Sequence, residues 1–236
     1  MPTYIEGVNP ISRRSLLTAG FVFFLAGCKT TRTFIGRNDA TATTIALDAD
    51  LPQRAAIDSV AMVGDSITEA SASSLRHALA DVGIDNVVID GQTSRRIAIG
   101  SGRNGETLSG VRAVKKLLNK GTDPSVWVIG LGTNDVGNFD TPQDCADLIG
   151  DITDLLPPPM RLVWVNVYRP SDLRQTKVFN QVLAAQLEVR GDAVVADWYT
   201  IASDPNREVL RSDDLHPNDD GKVAFADLVV QALQRL

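Results

Sequence analysis

The stretch MVGDSITEAS, residues 62–71, joins a run of apolar residues to a segment with a helical pattern. The apolar run covers 57–63 and is typical of a buried strand, while 69–82 carries apolar residues with the spacing of one helix face. Ser66 lies where one pattern replaces the other. A serine in this place either caps the helix or is a nucleophile displayed at the end of the strand, and this stretch leaves both interpretations open.

The alternation of strand and helix continues to the end of the chain. Segments of helical length and period, such as 107–120 and 219–235, separate short β-branched runs. Nearly continuous apolar strands that alternate with helices predict an α/β fold, in which helices cover both faces of a parallel sheet. The predicted strands are 57–63, 86–90, 125–131, 161–167 and 193–197. Ligands of such sheets bind beyond the carboxyl ends of the strands, so the residues that follow each strand are the candidates for chemistry.

Composition limits the classes of partner. The chain has 236 residues, a net charge of -6 and 44% hydrophobic residues, which suits one folded domain with a substantial core. An acidic chain without clustered Lys and Arg is not expected to bind nucleic acid. The two cysteines, Cys28 and Cys145, make neither a disulfide framework nor a zinc site. No metal and no cofactor are expected.

The start of the chain is predicted to be an export signal. Arg13 and Arg14 precede an apolar stretch, 16–27, that is too short to span a bilayer as a mature helix. The paired arginines resemble a twin-arginine signal. The sequence LAGC, which ends at Cys28, resembles the lipobox of bacterial lipoproteins, in which the cysteine is lipidated. The alternative is a buried N-terminal helix with an incidental cysteine.

These features predict three parts of the chain. Residues 1–27 are the signal peptide, and 28–56 hold the lipidated Cys28 and a flexible Thr-rich tether. The folded domain is expected over 57–236. The predicted location is extracytoplasmic, anchored to a bacterial membrane through the lipid, either in the periplasm or at the cell surface.

Four short blocks lie at the predicted strand ends and before the last helix. They are GDS at 64–66, DGQTS at 90–94, GTND at 132–135 and DDLH at 213–216. In this order the blocks resemble those of the SGNH (GDSL-type) hydrolase superfamily, and the resemblance covers essentially all of 57–236. It implies a flavodoxin-like three-layer α/β/α fold with a five-stranded parallel sheet, and a serine hydrolase that acts on ester bonds.

A catalytic serine needs a base within hydrogen-bond reach and a third group that orients the base. The sequence has two histidines, and His77 lies roughly opposite the buried face of its helix, so we expect it in solvent. His216 lies in the loop before the last helix, and Asp213 can fold back within that loop to accept the Nδ1 proton. We therefore predict Ser66, His216 and Asp213 as the catalytic residues. The alternative is an acidic turn that caps the last helix.

Acyl transfer also needs donors for the oxyanion. Ser66 at a helix start offers its own N–H, Gly91 lets a second N–H approach closely, and Asn134 can donate from Nδ2. In the resembled superfamily these three positions form the oxyanion hole. Ordinary turn geometry is the alternative for Gly91 and Asn134. Asp65 and Asp135 are interpreted as structural supports of their loops.

One loop carries a competing motif. The sequence GSGRNG, 100–105, fits the G-x-G-x-x-G pattern of dinucleotide sites. The strand before it would have to be the short run RRIAI, and this interpretation leaves the four blocks unexplained. We expect a mobile loop near the pocket instead. Arg95, Arg96 and Arg103 in this region are expected to be exposed, with contact to an anionic substrate group as the alternative.

The predicted function is hydrolysis of an acyl ester, with O-acetyl as one option, of an envelope carbohydrate or lipid. The expected partners are a small-molecule, glycan or lipid ester as substrate and the membrane through the lipid anchor. Two alternatives stay open. One is an acyltransferase that uses the same triad with a glycan acceptor, and the other is a non-catalytic surface lipoprotein that binds envelope glycans. The oligomeric state is not predicted.

Overall fold

The fold is an α/β sandwich, seen in a computed structural model that describes residues 56–101 and 105–236. A 3-10 turn, Pro170–Asp172, leads into α4. The strands are β1 Ser59–Gly64, β2 Asn86–Gly91, β3 Val126–Gly130, β4 Leu162–Val165 and β5 Ala193–Ala196. The α-helices are α1 Ser66–Asp81, α2 Gly110–Asn119, α3 Pro142–Thr153, α4 Leu173–Arg190, α5 Trp198–Ala202 and α6 Asp219–Leu233.

The strands form one parallel sheet in the order β2-β1-β3-β4-β5. Gly64, at the end of β1, is in register with Gly91 on one side and with Gly130 on the other. The chain order reverses at β1, since β2 lies on one side of it and β3 on the other. This is the topological switch point at which such sheets form a ligand crevice, and Ser66 follows β1 there.

The sheet is covered on both faces, as the alternation of elements predicts. Along β1, Ala61 and Val63 pack in the cluster under α2, α3 and α4, while Val60 and Met62 pack in the cluster under α1, α5 and α6. Successive strand residues point to opposite faces, so a buried parallel strand must be apolar at every position. The predicted three-layer α/β/α fold with five parallel strands is confirmed.

Element boundaries differ slightly from the predicted ones. α1 begins three residues before its predicted start because Asp65 caps it, and Ser66 is its first residue. β4 ends at Val165 because the next residue, Asn166, bonds through its side chain to Asp197 and to the N–H of Tyr199.

The predicted signal peptide, Cys28 and the tether up to residue 55 lie outside the described residues, so these assignments stay predictions. Among the residues that the structure describes, no helix is long and apolar enough to cross a membrane.

Candidate active site

The turn between β1 and α1 displays Ser66 and is held by its neighbours. The Asp65 side chain accepts a hydrogen bond from Ile67 N at 3.0 Å and so caps the helix. A Cβ on Gly64 would lie 1.9 Å from Thr68 Oγ1, so only glycine lets the helix begin this close to the strand end. Since Asp65 is the cap, Ser66 is free of that role. Its N–H is one of the first-turn donors that have no partner within a helix.

Ser66, His216 and Asp213 form one continuous chain of hydrogen bonds. Ser66 Oγ lies 2.9 Å from His216 Nε2, and His216 Nδ1 lies 2.8 Å from Asp213 Oδ2. The second carboxylate oxygen, Oδ1, accepts from His216 N at 2.9 Å and from Leu215 N at 3.0 Å. Asp213 therefore binds both the imidazole and the main chain of the loop that carries it, which fixes the ring relative to Ser66.

The hydrogen bonds to Asp213 set its electrostatics. The backbone N–H of His216 and then its ring lower the pKa of Asp213 to about 2. This carboxyl is ionised at neutral pH, because the hydrogen bonds and the solvent at its half-exposed side chain both stabilise the charged form. A carboxylate at Nδ1 favours the tautomer in which Nε2 can accept a proton from a serine.

Hydrogen bonds join the two ends of the loop that holds Asp213 and His216. Leu210 and Pro217 form an antiparallel bridge, and Arg211 N donates to His216 O at 2.8 Å. Asn218 caps α6 through Gly221 N and its Nδ2 also donates to Leu210 O. These bonds make the loop a closed turn, so the position of His216 follows from that of α6.

Gly91 and Asn134 lie at the carboxyl ends of the two strands that flank β1. Gly91 ends β2, and a Cβ there would lie 2.4 Å from Glu69 N in the first turn of α1. Asn134 follows β3 and its Nδ2 donates to the main-chain oxygen of Arg95 at 3.1 Å. The structure thus places both predicted oxyanion donors at the same edge of the sheet as Ser66.

Two buried carboxyl groups support these turns, as the sequence predicted. Asp135 Oδ1 and Oδ2 both accept from Ile97 N, at 3.2 and 3.1 Å, which joins the β3–α3 turn to the loop after β2. Burial raises the pKa of Asp65 and the pKa of Asp135 to about 6. The Asp135 charge also raises the pKa of Asp65, because like charges in a poorly solvated site oppose one another's ionisation.

Both predictions for Arg95 were wrong. Its side chain is 1% exposed, and it is neither a surface arginine nor available to an anionic substrate group. The guanidinium lies between the ends of β1 and β2, where it bonds to main-chain oxygens including that of Gly64. Arg96, which is partly buried, lies 3.7 Å from Asp135 Oδ1, and Arg103 is outside the described residues. A charged residue in a glycine-rich loop gives no local signal of such burial.

Other candidates from the sequence lie away from Ser66. His77 is exposed on α1 with Nε2 3.7 Å from Asp81 Oδ2, as predicted. Cys145 is fully buried in α3, where burial raises its thiol pKa to about 12. Residues 102–104 of the motif at 100–105 lie outside the described residues, and the motif neither directly follows β2, which ends at Gly91, nor directly precedes α2, which begins at Gly110, as a dinucleotide site requires. Within the described ranges, no group of three potential ligands could hold a metal ion.

A polar cleft of about 570 Å³ adjoins the loop that carries Asp213. Ser212 and Asp214, on either side of Asp213 in the chain, line it together with Arg211 and Tyr168. The ring of Tyr168 contacts that of Tyr199 edge to face, with centroids 5.8 Å apart. Polar groups beside an aromatic ring provide the hydrogen bonds and the apolar surface that polar, ring-shaped ligands use.

Known proteins are similar to this chain in sequence and in fold. Residues 62–224 match the sequence model of the GDSL-like Lipase/Acylhydrolase family, and this match includes Ser66, Gly91, Asn134, Asp213 and His216. A search of curated proteins gave no match.

Solved structures share the fold at low sequence identity. The Streptococcus pneumoniae peptidoglycan O-acetyltransferase A (OatA) C-terminal catalytic domain is 20% identical, with a TM-score of 0.57 over 76% of this chain and 95% of that one. The psychrotrophic esterase EstA from Pseudoalteromonas sp. is 17% identical, with a TM-score of 0.56 over 75% and 97%. The Clostridium thermocellum family 3 carbohydrate esterase is 17% identical, with a TM-score of 0.54 over 75% and 95%.

Proposed function

The chain belongs to the GDSL-like Lipase/Acylhydrolase family and is a serine hydrolase that acts on esters, and from this premise we propose that Ser66, His216 and Asp213 carry the reaction. The observation that carries the proposal is the unbroken chain of hydrogen bonds from Ser66 Oγ through His216 to Asp213. A protein that only binds glycans does not need this series of hydrogen bonds, so we favour the enzyme over the non-catalytic glycan-binding lipoprotein.

The reaction has two halves. Ser66 Oγ attacks the acyl carbonyl carbon while His216 Nε2 takes the hydroxyl proton, and the tetrahedral intermediate collapses as His216 gives that proton to the leaving alcohol. Water then attacks the acyl-enzyme and loses its proton to His216. His216 gives this proton to Ser66 Oγ as the carboxylic acid leaves. Asp213 keeps the ring oriented and stabilises the imidazolium in both halves.

The negative charge on the tetrahedral oxygen needs donors at the strand ends. We assign this role to the N–H groups of Ser66 and Gly91 and to Asn134 Nδ2. The N-terminus of α1 adds a favourable dipole at Ser66. Donors held in place before the reaction cost no reorganisation when the charge develops, which makes them effective in catalysis.

We propose an O-acyl ester of an envelope carbohydrate or lipid as the substrate, with O-acetyl carbohydrate as the first class to test. Two observations support it. The cleft beside the loop of Asp213 is lined by polar groups and Tyr168, which suits a hydroxyl-rich leaving group. A carbohydrate esterase is among the solved structures that share this fold.

The test is turnover of p-nitrophenyl esters of graded chain length, from acetate to laurate, by the wild type and by Ser66→Ala. We expect turnover that depends on Ser66, with kcat/KM highest for acetate. Labelling of the wild type by a fluorophosphonate, absent in Ser66→Ala, should accompany it. Full turnover by Ser66→Ala would contradict the mechanism, and a maximum at laurate would contradict the acetyl preference.

Acyl transfer is the second candidate, and the shared fold with a peptidoglycan O-acetyltransferase domain favours its inclusion. The same residues would form the acyl-enzyme, and a glycan hydroxyl would replace water as the acceptor. Mass spectrometry of added glycan after reaction with p-nitrophenyl acetate separates the two. A gain of one acetyl group per product molecule indicates transfer, and free acetate alone indicates hydrolysis.

We further propose that Cys28 is lipidated and anchors the enzyme to the outside of a bacterial membrane. The support is the order of paired arginines, apolar stretch and LAGC at the start of the chain. In a bacterial host, the wild type should partition into the detergent phase of a Triton X-114 extract and Cys28→Ala into the aqueous phase. Equal partition of the two proteins would remove this proposal and leave the catalytic one intact.

A further inference from the structure

We propose that Arg95 is a positioning residue that orients two of the three oxyanion donors. Its side chain acts on the peptide group that contains the Gly91 N–H, and its main-chain oxygen acts on the Asn134 side chain. This role rests on the proposed function, because it concerns donors that the proposed reaction uses. Arg95 itself does not touch the substrate.

All five N–H groups of the Arg95 guanidinium have acceptors. Nε donates to Leu108 O at 3.1 Å, and Nη1 donates to Gly64 O at 3.0 Å and to Asp90 O. Nη2 donates to Asp90 Oδ1 at 2.7 Å and to Gln92 Oε1 at 3.0 Å. A guanidinium has five donors in a fixed plane, so this set defines its orientation completely. The Asp90 carboxylate balances the charge, as a buried cation requires.

The bond from Nη1 to Asp90 O fixes the direction of the Gly91 N–H. Asp90 C=O and Gly91 N–H belong to one peptide group, which is planar and trans, so its N–H points opposite to its C=O. A donor held on the oxygen therefore sets the direction of the hydrogen at the other end. It also polarises the amide and makes the N–H a stronger donor.

The main chain of Arg95 orients the second donor. Asn134 Nδ2 donates one hydrogen to Arg95 O at 3.1 Å. An amide nitrogen carries two hydrogens, and the bond to Arg95 leaves the other for an oxyanion while it sets the rotation of the side chain. Without this acceptor the terminal torsion of an asparagine is broad.

The third contact connects Arg95 to the nucleophile. Gly64 O, two residues before Ser66, accepts from Arg95 Nη1 and also from Gln92 N at 3.1 Å. One buried side chain therefore joins the end of β1, the end of β2 and the segment just before α2, while its main chain accepts from Asn134. No residue that only filled space would make this set of bonds.

The test compares Arg95→Met and Arg95→Lys with Arg190→Met. Arg190 is a matched control, since it is also buried, donates to the main-chain oxygens of Leu156 and Met160, and lies 2.6 Å from Asp192 Oδ1. These partners precede β4 and β5, at the sheet edge opposite Ser66. The control reports what the loss of a buried arginine does to folding alone.

Two readouts are independent of how much of the protein is folded. These are KM and the second-order rate constant for inactivation by a fluorophosphonate, whose phosphoryl oxygen occupies the oxyanion hole. We expect Arg95→Met to lower kcat for p-nitrophenyl acetate and the inactivation rate constant by about 10–10² each, with KM within about twofold. For Arg95→Lys, kcat and the inactivation rate constant should lie between those of wild type and Arg95→Met, because lysine keeps the positive charge but lacks the planar guanidinium. Arg190→Met should leave KM and the inactivation rate constant unchanged.

Arg95→Met keeps the main-chain oxygen that accepts from Asn134, so a double variant tests whether the Arg95 side chain also acts on Asn134, by holding that oxygen in place. If it does, Arg95→Met combined with Asn134→Ala should cost less than the product of the two single losses. An inactivation rate constant within twofold of wild type in Arg95→Met, or in Arg95→Lys if the Met variant does not fold, would overturn the role. That result leaves the proposed function standing, whereas a wild type without Ser66-dependent turnover would remove both.

Discussion

Gly91 lies in register with Gly64, and its Cα faces the main chain of Glu69 at the start of α1. The ends of β1 and β2 therefore meet at two glycines, and the start of α1 contacts Gly91 through its main chain. This contact brings the backbone of Gly91 to the first turn of α1, the helix that begins at Ser66. The close approach is a property of the backbone, so any side chain at Gly91 must push these parts away from one another.

Gly91→Ala should lower both stability and activity. Its Cβ would lie 2.4 Å from Glu69 N and 2.7 Å from Glu69 Cα, and backbone atoms cannot rotate aside. We expect a loss of about 1–3 kcal/mol in the free energy of unfolding, together with a lower kcat. Urea denaturation and ester turnover measure the two effects. Gly150→Ala in α3, where a Cβ meets open space, is the control and should be stabilising by about 1 kcal/mol.

Asn134→Ala should act mainly on kcat. Loss of one oxyanion donor typically costs about 10²–10³ in kcat, while the substrate in its ground state is bound nearly as before. Ser66→Ala should cost more, because it removes the nucleophile itself. Steady-state kinetics with p-nitrophenyl acetate measure both. Asn119→Ala, an exposed asparagine at the end of α2, should retain wild-type kcat, and an unchanged kcat in Asn134→Ala would remove Asn134 from the oxyanion hole.

Much of this arrangement could be predicted because the relevant signals are local. Apolar runs mark the strands, and the carboxyl ends of parallel strands meet at one edge, so Ser66, Gly91 and Asn134 had to lie near one another. Asp213 and His216 are three residues apart in one loop, which made their contact predictable. The start of α1 was harder, since β-branched Ile67 and Thr68 occupy its first turn and resemble strand residues.

The environment of Arg95 could not be predicted. Its acceptors lie at Gly64, Asp90, Gln92 and Leu108, and only the folded chain brings these oxygens together. In the sequence, an arginine beside glycines and serines has the pattern of a solvated loop. The burial of a charge depends on acceptors distant in the chain, and no periodicity records them.

Asp213→Asn should lower kcat, because the amide removes the charge that stabilises the imidazolium. We expect a loss of about 10² in kcat, below the roughly 10⁴ known for a fully buried aspartate in this role, since Asp213 is about half exposed. Ester turnover at pH 8 measures it. Asp220→Asn removes an exposed carboxylate in the first turn of α6, away from the polar cleft, and its kcat should stay near wild type. Equal losses in the two variants would contradict a specific role for Asp213.

Asp213 should also contribute to the acid stability of the domain. Its pKa in the folded state is about 2, below the value near 4 of an unfolded aspartate. The contribution of Asp213 to the free energy of unfolding is therefore present above pH 4 and is lost as the pH falls towards 2. The difference in Tm between wild type and Asp213→Asn should shrink over this window. Solvent screening of the exposed carboxyl keeps the effect small.

Asp65 should have the opposite effect on stability. Burial raises its pKa to about 6, so between pH 4 and pH 6 the folded state holds a proton that the unfolded state has lost. The free energy of unfolding must then decrease as the pH rises through this window, and the loss persists at higher pH. Asp65→Asn removes the titration and keeps an oxygen that can accept from Ile67 N.

The Tm of Asp65→Asn relative to wild type should therefore rise by on the order of 5 °C between pH 4 and pH 7. Asp197→Asn is the matched control, since Asp197 also caps a helix, α5, by accepting from the N–H of Thr200. Burial opposes its ionisation, but hydrogen bonds from Thr200 and Asn166 outweigh this and lower its pKa. For that variant the relative Tm should not rise over the same window, because its wild-type carboxylate is already ionised. A relative Tm of Asp65→Asn that stays flat from pH 4 to pH 7 would show that Asp65 is ionised in the folded protein throughout, and that burial does not govern its charge.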